Sequence, residues 1–244
     1  MAAFMLISGC ATGPNANPHD PFEPYNRSMY KFNDAVDRAV LKPVATAYVQ
    51  VTPSFVRKGV SNFFGNLGDA WSAVNSVLQL RGQDAFDNFV RFSFNTVIGF
   101  GGLLDIAGEA GVPRHKQDFG RTLGRWGFPA GPYLVLPLLG PSTVRDTAAL
   151  PVDWQGNLIR YVTPVDDRNA LYGLQTISAR ANLLRASSLL QQSALDPYAF
   201  LRDAYLQSRG VRLGNEEPSG TEQSPTPQNQ NVPLFQWNLP SPLR

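Results

Sequence analysis

The composition of this 244-residue chain limits what it can do. Hydrophobic residues make up 43%, enough to bury a substantial core in one domain or two. Charged residues make up only 16%, against about a quarter in ordinary soluble domains, which indicates a surface that contacts something other than water. The formal net charge is +2 and the basic residues are scattered, so the composition does not favour a nucleic-acid partner.

The single cysteine, Cys10, follows a branched apolar residue and two small residues, Ile7-Ser8-Gly9. This pattern is typical of bacterial lipoproteins, in which the thiol receives a diacylglyceryl group and the preceding segment is removed. No second cysteine exists for a disulfide. Residues 1–7 are apolar like the end of a signal h-region, but they lack a basic n-region. We therefore predict a truncated signal segment over 1–9, with a start further upstream; a free cysteine in a frayed terminus is the alternative.

Residues 20–213 are predicted to form one helical domain. Apolar residues recur there at intervals of three and four, and Lys42-Pro43 is expected to interrupt the first helix. Thr52-Pro53 and Asp196-Pro197 read as a capping residue followed by proline at the first helical position. In chain order, helices are predicted over residues 25–40, 52–67, 70–80, 84–98, 103–107, 119–126, 142–147, 169–190 and 196–205.

Other segments are predicted to be irregular. Residues 10–19 are rich in Gly, Pro and Asn and are expected to form an acylated, flexible tether. Residues 131–137 are apolar and flanked by prolines, which favours an extended segment. The Pro/Gln-rich residues 214–244 cannot bury enough apolar surface to fold and are predicted to be a disordered tail. No apolar/polar alternation of useful length predicts a β-sheet.

Few residues suit catalysis or metal binding. His19 and His115 have no partner at metal-ligand spacing. The turn Gly99-Phe100-Gly101-Gly102 lacks the third glycine of a dinucleotide fingerprint, since Leu104 occupies that place. Asp166-Asp167 is interpreted as helix-start charge rather than an acid–base pair. We therefore expect no enzymatic activity, no metal and no cofactor. No run of 18 apolar residues predicts a transmembrane helix.

Several short blocks follow one another in a fixed order between residues 20 and 210. They are Asp20-Pro21-Phe22-Glu23-Pro24-Tyr25-Asn26-Arg27, Met29-Tyr30-Lys31-Phe32-Asn33, Leu41-Lys42-Pro43-Val44-Ala45, Asn62-Phe63-Phe64-Gly65-Asn66-Leu67, Arg91-Phe92-Ser93-Phe94-Asn95-Thr96, Gly99-Phe100-Gly101-Gly102, Asp105-Ile106-Ala107, Asp118-Phe119-Gly120-Arg121-Thr122-Leu123-Gly124, Gly131-Pro132-Tyr133, Leu136-Pro137, Gly140-Pro141-Ser142 and Arg145-Asp146. The ordered set resembles the VacJ/MlaA family of outer-membrane phospholipid-transport lipoproteins of Gram-negative bacteria. The chain departs from the family in its truncated signal segment and its Pro/Gln-rich tail.

This resemblance implies an all-α, ring-like domain with a central amphipathic channel, lying on the periplasmic face of the outer membrane and anchored by lipid on Cys10. Members are held to a trimeric porin. They remove mislocalised phospholipids from the outer leaflet and pass them to a soluble periplasmic carrier, which maintains lipid asymmetry. Two alternatives stay open: a structural lipoprotein that scaffolds a porin without passing lipid, and a peripheral lipase or acyltransferase.

The lipid path is predicted at the glycine-rich turn and the helices beside it. The residues of this turn are Gly99, Phe100, Gly101, Gly102, Leu103 and Leu104, and the alternative is that the glycines only permit a tight turn. Phe86, Phe89 and Phe92 are expected in the core, with a lipid-facing position as the alternative. Trp126, Tyr133 and Trp154 are candidates for anchoring at the headgroup level, although buried positions suit them equally.

Overall fold

The computed structural model describes residues 20–211, apart from the side chain of Ser193. Helices dominate this part of the chain, as the sequence predicts. Their bounds are α1 Glu23–Val36, α2 Lys42–Val51, α3 Ser54–Leu78, α4 Gly82–Val97, α5 Ile106–Glu109, α6 Phe119–Arg125, α7 Val144–Gly156, α8 Val165–Ser193 and α9 Pro197–Ser208. The predictions for Cys10, the tether and the C-terminal tail lie outside the described residues.

The chain stays helical through Pro43, so the predicted break at Lys42-Pro43 is wrong. A π-helical segment, Asp37–Leu41, joins α1 to α2, and the N–H of Lys42 donates to the carbonyl of Asp37, five residues earlier. Proline lacks an N–H, and its ring crowds the carbonyl four residues before it. One wide turn directly before Pro43 therefore accommodates the ring without ending the helix.

Helix α3 is one helix of 25 residues where two were predicted. Gly65 and Gly68 lie in its interior, although each glycine costs a helix about 1 kcal/mol relative to alanine. At Gly65 the space is needed, because an added Cβ would lie 2.8 Å from the guanidinium of Arg114. Helix α4 then packs back against α3, and this pair forms the largest helix–helix contact of the fold.

The predicted extended segment forms a hairpin, which the sequence did not predict. Strand β1, Tyr133–Leu136, pairs antiparallel with β2, Gly140–Thr143, and Tyr133 faces Thr143 in the register. Two four-residue strands are too short to show an alternation pattern. The all-α prediction therefore needs this one correction within the described part of the chain.

Side chains of α1 complete the hydrogen bonding of β1. The amide of Asn26 donates to the carbonyl of Tyr133 and accepts from the N–H of Val135. The amide of Asn33 donates to the carbonyl of Leu136 and accepts from the N–H of Leu138. Because a lone hairpin is marginal in water, these four bonds from one helix explain how so small a sheet persists.

A small apolar core lies between the hairpin and α9. Tyr133, Val135, Tyr198 and Leu206 are buried there, and the rings of Tyr133 and Tyr198 meet edge to face with their centroids 6.3 Å apart. The hydroxyl of Tyr198 donates to the buried carboxylate of Asp20. This core fixes the start and the end of the described chain against the same hairpin.

The ends of the later helices follow the sequence in most cases. Asp196 caps α9 by accepting from the N–H groups of Tyr198 and Ala199, as predicted. Helix α8 covers the predicted range and begins with Asp166 and Asp167 in its first turn. The helix predicted from Ser142 is instead α7.

Thr143 rather than Ser142 caps α7, since its hydroxyl accepts from the N–H of Asp146. Helix α7 also continues past Pro151 to Gly156, well beyond the predicted end. A short 3-10 helix, Leu158–Tyr161, lies between α7 and α8.

Candidate functional site

Helix α4 exposes its apolar face. Phe86 and Phe89 are 63% and 60% exposed, and Phe94 and Val97 continue the same face at helical spacing. The prediction that Phe86 and Phe89 lie in the core is therefore wrong, and Phe92 is half-buried. Helices in water show the opposite arrangement. An exposed apolar face of this kind marks contact with a membrane or another protein.

The interface between α3 and α4 is polar. The polar side chains buried on α3 are Asn66, Asp69, Ser72, Asn75 and Ser76, and those on α4 are Asp87, Asn88, Arg91 and Asn95. Most members of each set recur at intervals of three or four, so each set forms one stripe along its helix. Polar groups buried in this way must be hydrogen-bonded to be tolerated.

Arg91 is the centre of this interface and is only 2% exposed. Its guanidinium donates to the carboxylates of Asp105 at 2.6 Å and Asp69 at 3.3 Å. It also donates to the carbonyl of Val112 at 2.6 Å. The guanidinium of Arg114 reaches Asp69 from the other side, at 3.0 Å.

Asn95 links the same carboxylate to the backbone. Its amide donates to Asp105 at 2.9 Å and accepts from the N–H of Ala107 at 2.9 Å. Asp69, Arg91, Asn95, Asp105 and Arg114 together are called the Arg91 cluster below. The cluster ties α3, α4 and the segment between α4 and α6 into one unit.

The charges of the Arg91 cluster balance. Burial raises the pKa of Asp69, and Arg114 and Arg91 oppose this rise. Burial also disfavours the charge on Asp105, but hydrogen bonds from Arg91, Asn95 and the N–H of Gly108 outweigh it and lower the pKa. Two arginines thus neutralise two carboxylates. This arrangement holds the helices together and leaves no free acid or base for catalysis.

The glycines of the predicted lipid path fit a tight turn. Gly102 has φ +95°, and an added Cβ would lie 2.7 Å from the side chain of Asn66 on α3. An added Cβ at Gly99 would meet the carbonyl of Leu104. Gly101 has φ +72° and open space around it. Close approach and backbone conformation therefore account for these glycines.

The apolar residues of the same turn lie on the surface. Phe100, Leu103 and Leu104 are all exposed, so the segment between Gly99 and Leu104 presents apolar side chains outward. None of them lines the three cavities that α8 borders. Their part in a lipid path stays a prediction.

The aromatic candidates for the headgroup level divide into two groups. Trp126 and Trp154 are half-exposed, and the indole N–H of Trp126 donates to the carbonyl of Leu78 at 2.9 Å. Tyr133 is completely buried in the core beside the hairpin. Anchoring at the headgroup level is therefore wrong for Tyr133, and the alternative, a buried position, is correct.

Helix α8 borders three cavities. The α2–α3–α8 cavity has about 480 Å³, and the α3–α8 cavity has about 440 Å³. Ser61 and Asn182 line both, and the amide of Asn182 donates to the hydroxyl of Ser61 at 3.0 Å. The hairpin cavity, of about 270 Å³, lies between α1, the hairpin and α8.

The lining of the hairpin cavity is amphipathic. Arg180 on α8 and Asp37 form an ion pair there, with Nε 2.6 Å from Oδ1. Apolar side chains of Val135, Leu183 and Leu190 line the same space. A cavity with both characters can hold a molecule that has a polar end and an apolar end.

The described residues offer no metal site and no membrane-spanning helix. Within 20–211, no group of three His, Cys, Asp or Glu side chains is placed to hold a metal ion. None of the helices in that range combines the length and the hydropathy of a transmembrane span. His115 binds the carboxylate of Asp87, with Nε2 3.0 Å from Oδ2.

Sequence reasoning missed the Arg91 cluster and the cavities along α8. The signal for the cluster was a polar stripe in α4, in which Asn88, Arg91 and Asn95 recur at helical spacing between phenylalanines. A second signal was its match to a polar stripe in α3. The cavities left no such signal, because α2, α3 and α8 meet only in the folded chain.

Comparison with known proteins places the chain in a family. The model of the MlaA lipoprotein family matches residues 18–212. The Escherichia coli (strain K12) "Intermembrane phospholipid transport system lipoprotein MlaA" is 37% identical over 209 residues, which cover 83% of this chain and 82% of that protein. A Haemophilus influenzae protein of the same name is 34% identical over 227 residues, covering 86% and 87%. An uncharacterised Rickettsia bellii protein is 36% identical over 204 residues, covering 83% and 78%.

The fold agrees with this match. A chain solved in the study "Structural basis for maintenance of bacterial outer membrane lipid asymmetry" superposes with a TM-score of 0.68 at 36% identity. The alignment covers 78% of this chain and 96% of that chain. The mostly helical fold and the resemblance drawn from the sequence blocks are thereby confirmed. The chain belongs to the MlaA lipoprotein family.

Proposed function

We propose that this protein removes mislocalised phospholipids from the outer leaflet of the outer membrane and passes them to a soluble periplasmic carrier. The observation that carries the proposal is the set of cavities along α8, in a body whose helices expose apolar side chains. The Escherichia coli and Haemophilus influenzae relatives are named for intermembrane phospholipid transport, which supports the proposal.

The energetics of lipid movement explain why such cavities are needed. A phospholipid has on the order of 30 tail methylenes, and each costs ~0.8 kcal/mol to expose to water. The total is roughly 20 kcal/mol or more, so a lipid leaves the bilayer at a useful rate only if protein covers its tails throughout. An amphipathic passage covers the tails and also supplies polar contacts for the headgroup. No covalent chemistry is required, and we propose no enzymatic activity.

The exposed apolar helix faces support a position within one leaflet. Buried polar groups at that depth must be satisfied by protein, because lipid tails supply no hydrogen bonds. The Arg91 cluster meets this requirement between α3 and α4. Lipid on Cys10 would anchor the protein to the periplasmic face of the outer membrane, and a trimeric porin would hold it there.

Filling the α3–α8 cavity tests this proposal. Ala179 on α8 lines that cavity, and Ala186 on the same helix is exposed and lines none of the three cavities along α8. The variant Ala179→Trp is expected to slow the movement of labelled phospholipid from the outer leaflet to an acceptor, and the matched variant Ala186→Trp to leave it unchanged. Co-purification with the porin is measured for both.

The outcomes separate the alternatives. Loss of lipid movement with porin binding preserved supports transfer through the protein. Normal clearance by Ala179→Trp contradicts it and favours a structural scaffold. Release of fatty acid or lysophospholipid from the labelled lipid would instead identify a lipase or acyltransferase.

A further inference from the structure

Three basic side chains line the α2–α3–α8 cavity, and no acidic residue of the described chain lines it. They are Arg57, Lys58 and Arg185. Within residues 20–211 none of them forms an ion pair, and the guanidinium of Arg57 donates only to the carbonyl of Val49, at 2.8 Å. Three cations without a counter-charge in one concavity create a positive potential that attracts an anion.

The other large basic cavity differs in this respect. It has about 710 Å³ and is lined by five arginines near the end of α9. Most of them are already neutralised: Arg145 pairs with Asp146 at 2.9 Å, and Arg209 pairs with Asp118 at 2.6 Å. The basic side chains of the α2–α3–α8 cavity, by contrast, have no ion-pair partners among residues 20–211.

Further hydrogen-bond donors lie at the same cavity. Tyr48 lines it, and the hydroxyl of Tyr48 is buried without a hydrogen-bond partner among the described residues. Ser54, the first residue of α3, also lines it, and no side chain caps that end of the helix. An unpaired buried hydroxyl is costly, and an uncapped helix N-terminus favours negative charge. An anion with several acceptor oxygens would satisfy both.

Apolar side chains stand beside these polar groups. Val49 on α2 and Ala181 and Leu184 on α8 line the same cavity. Apolar side chains do not stabilise a bound inorganic anion, whereas they can contact the acyl chains that a lipid carries next to its phosphate.

We propose that the α2–α3–α8 cavity binds the phosphate of a phospholipid headgroup and selects net anionic headgroups over zwitterionic ones. Arg57, Lys58 and Arg185 contact the phosphate oxygens, and Tyr48 donates a further hydrogen bond. The ammonium group of a zwitterionic headgroup finds no carboxylate in the lining, so it gains nothing and is repelled by the three cations. This inference rests on the proposed function and adds the headgroup class and its site.

Direct binding measurements test the proposal. Full-length acylated protein in a non-ionic detergent is titrated calorimetrically with short-chain phosphatidylglycerol, phosphatidylethanolamine and diacylglycerol of the same chain length, and with inorganic phosphate. We expect the wild type to bind phosphatidylglycerol most tightly. The double variant Lys58→Gln/Arg185→Gln is expected to lose about tenfold or more of this affinity, since it removes two charge-assisted contacts.

A matched double variant controls for the loss of two charges. Lys31 and Arg160 are exposed, form no ion pair within residues 20–211 and do not line the cavity. The variant Lys31→Gln/Arg160→Gln is expected to bind phosphatidylglycerol like the wild type. If the cavity variant also binds like the wild type, or if the wild type does not distinguish the two phospholipids, the proposal is overturned. Inorganic phosphate that competes as tightly as the lipid overturns the lipid assignment in favour of a free-anion site.

The variant Tyr48→Phe distinguishes a role of this residue in lipid binding from a role in stability. Its hydroxyl has no hydrogen-bond partner among residues 20–211, so Tyr48→Phe is expected to leave the melting temperature unchanged or raise it. The affinity for phosphatidylglycerol is expected to fall about three- to tenfold. A lowered melting temperature with unchanged affinity contradicts the role of Tyr48 in the site.

The site and the proposed function fail in different ways. If the wild type binds phosphatidylglycerol selectively but does not clear labelled lipid from the outer leaflet, the transport function is wrong and the site stands. If it clears lipid but binds both headgroups alike, the site is wrong and the transport function stands.

Discussion

Replacing Arg91 by glutamine should destabilise the fold more than replacing any exposed arginine. Arg91 donates to Asp69, Asp105 and the carbonyl of Val112, and it is almost completely buried. Glutamine removes the positive charge and most of these donors. Asp69 and Asp105 then each lose a charged partner, and Asp69 does so in a position that water hardly reaches.

The size of the effect follows from the geometry. Removing one partner of a buried ion pair costs about 3–5 kcal/mol. Asp69 keeps Arg114, and the side chain of Asp105 is 25% exposed, so water replaces part of what is lost. We therefore expect the lower end, about 3 kcal/mol, which corresponds to roughly 6–12 °C in melting temperature for a domain of this size.

The pH dependence gives a second, independent readout. In the wild type the folded-state pKa of Asp105 is lowered, so its contribution to stability is full above the unfolded pKa and is lost as pH falls through the folded pKa. In Arg91→Gln the charged carboxylates destabilise the fold at neutral pH and are relieved when they take up protons. The deficit of the variant is therefore greatest at neutral pH and shrinks in the acid range.

Thermal unfolding of both proteins in the same detergent, followed by circular dichroism at several pH values, measures this deficit. Arg38→Gln is the control, because Arg38 forms an exposed pair with Asp34 and such pairs contribute about 0–1 kcal/mol. A fall of less than 2 °C for Arg91→Gln, or a deficit that grows as pH is lowered, would refute the reasoning about the Arg91 cluster.

Four further substitutions test other parts of the fold by the same melting measurement. Gly102→Ala should lower stability by about 2 kcal/mol or more, because its Cβ meets Asn66. Gly101→Ala should cost only the backbone strain, about 1 kcal/mol. Equal losses of stability in the two variants would contradict this. Asp196→Ala should cost about 1–2 kcal/mol by uncapping α9, and no loss would show that the cap is redundant. Asn26→Ala should lower stability by about 2–4 kcal/mol, because it leaves a buried carbonyl and a buried N–H of β1 without hydrogen-bond partners. A loss of stability below 1 kcal/mol would contradict that account.

Helix positions were largely predictable from local signals. The capping pattern at Asp196-Pro197 and the apolar spacing of α4 and α8 depend only on nearby residues, and the structure keeps all three elements. The helix through Pro43 and the undivided α3 were not predictable from local rules. A π-helical turn at Asp37–Leu41 and the contact between Gly65 and Arg114 override the usual effects of proline and glycine there.

The direction in which the apolar helix faces point was predicted less well than the positions of the helices. The spacing of Phe86 and Phe89 shows that they share a face, but the same spacing suits a face toward the core and a face toward lipid. The low charge content and the polar stripe through Arg91 were the only signals that distinguish the two. The hairpin escaped prediction for another reason, since its edge is completed by Asn26 and Asn33, more than a hundred residues away in the chain.

The polar residues that join α3 to α4 are different from the residues that make the surface of these helices hydrophobic. Phe86, Phe89 and Val97 are mostly exposed, whereas Arg91 on α4 pairs with Asp69 on α3. A water-soluble version of this domain is therefore within reach by changing only its outer apolar residues to polar ones, with the interior left untouched. The same separation lets the outer surface vary freely to suit membranes of different composition while the fold is maintained.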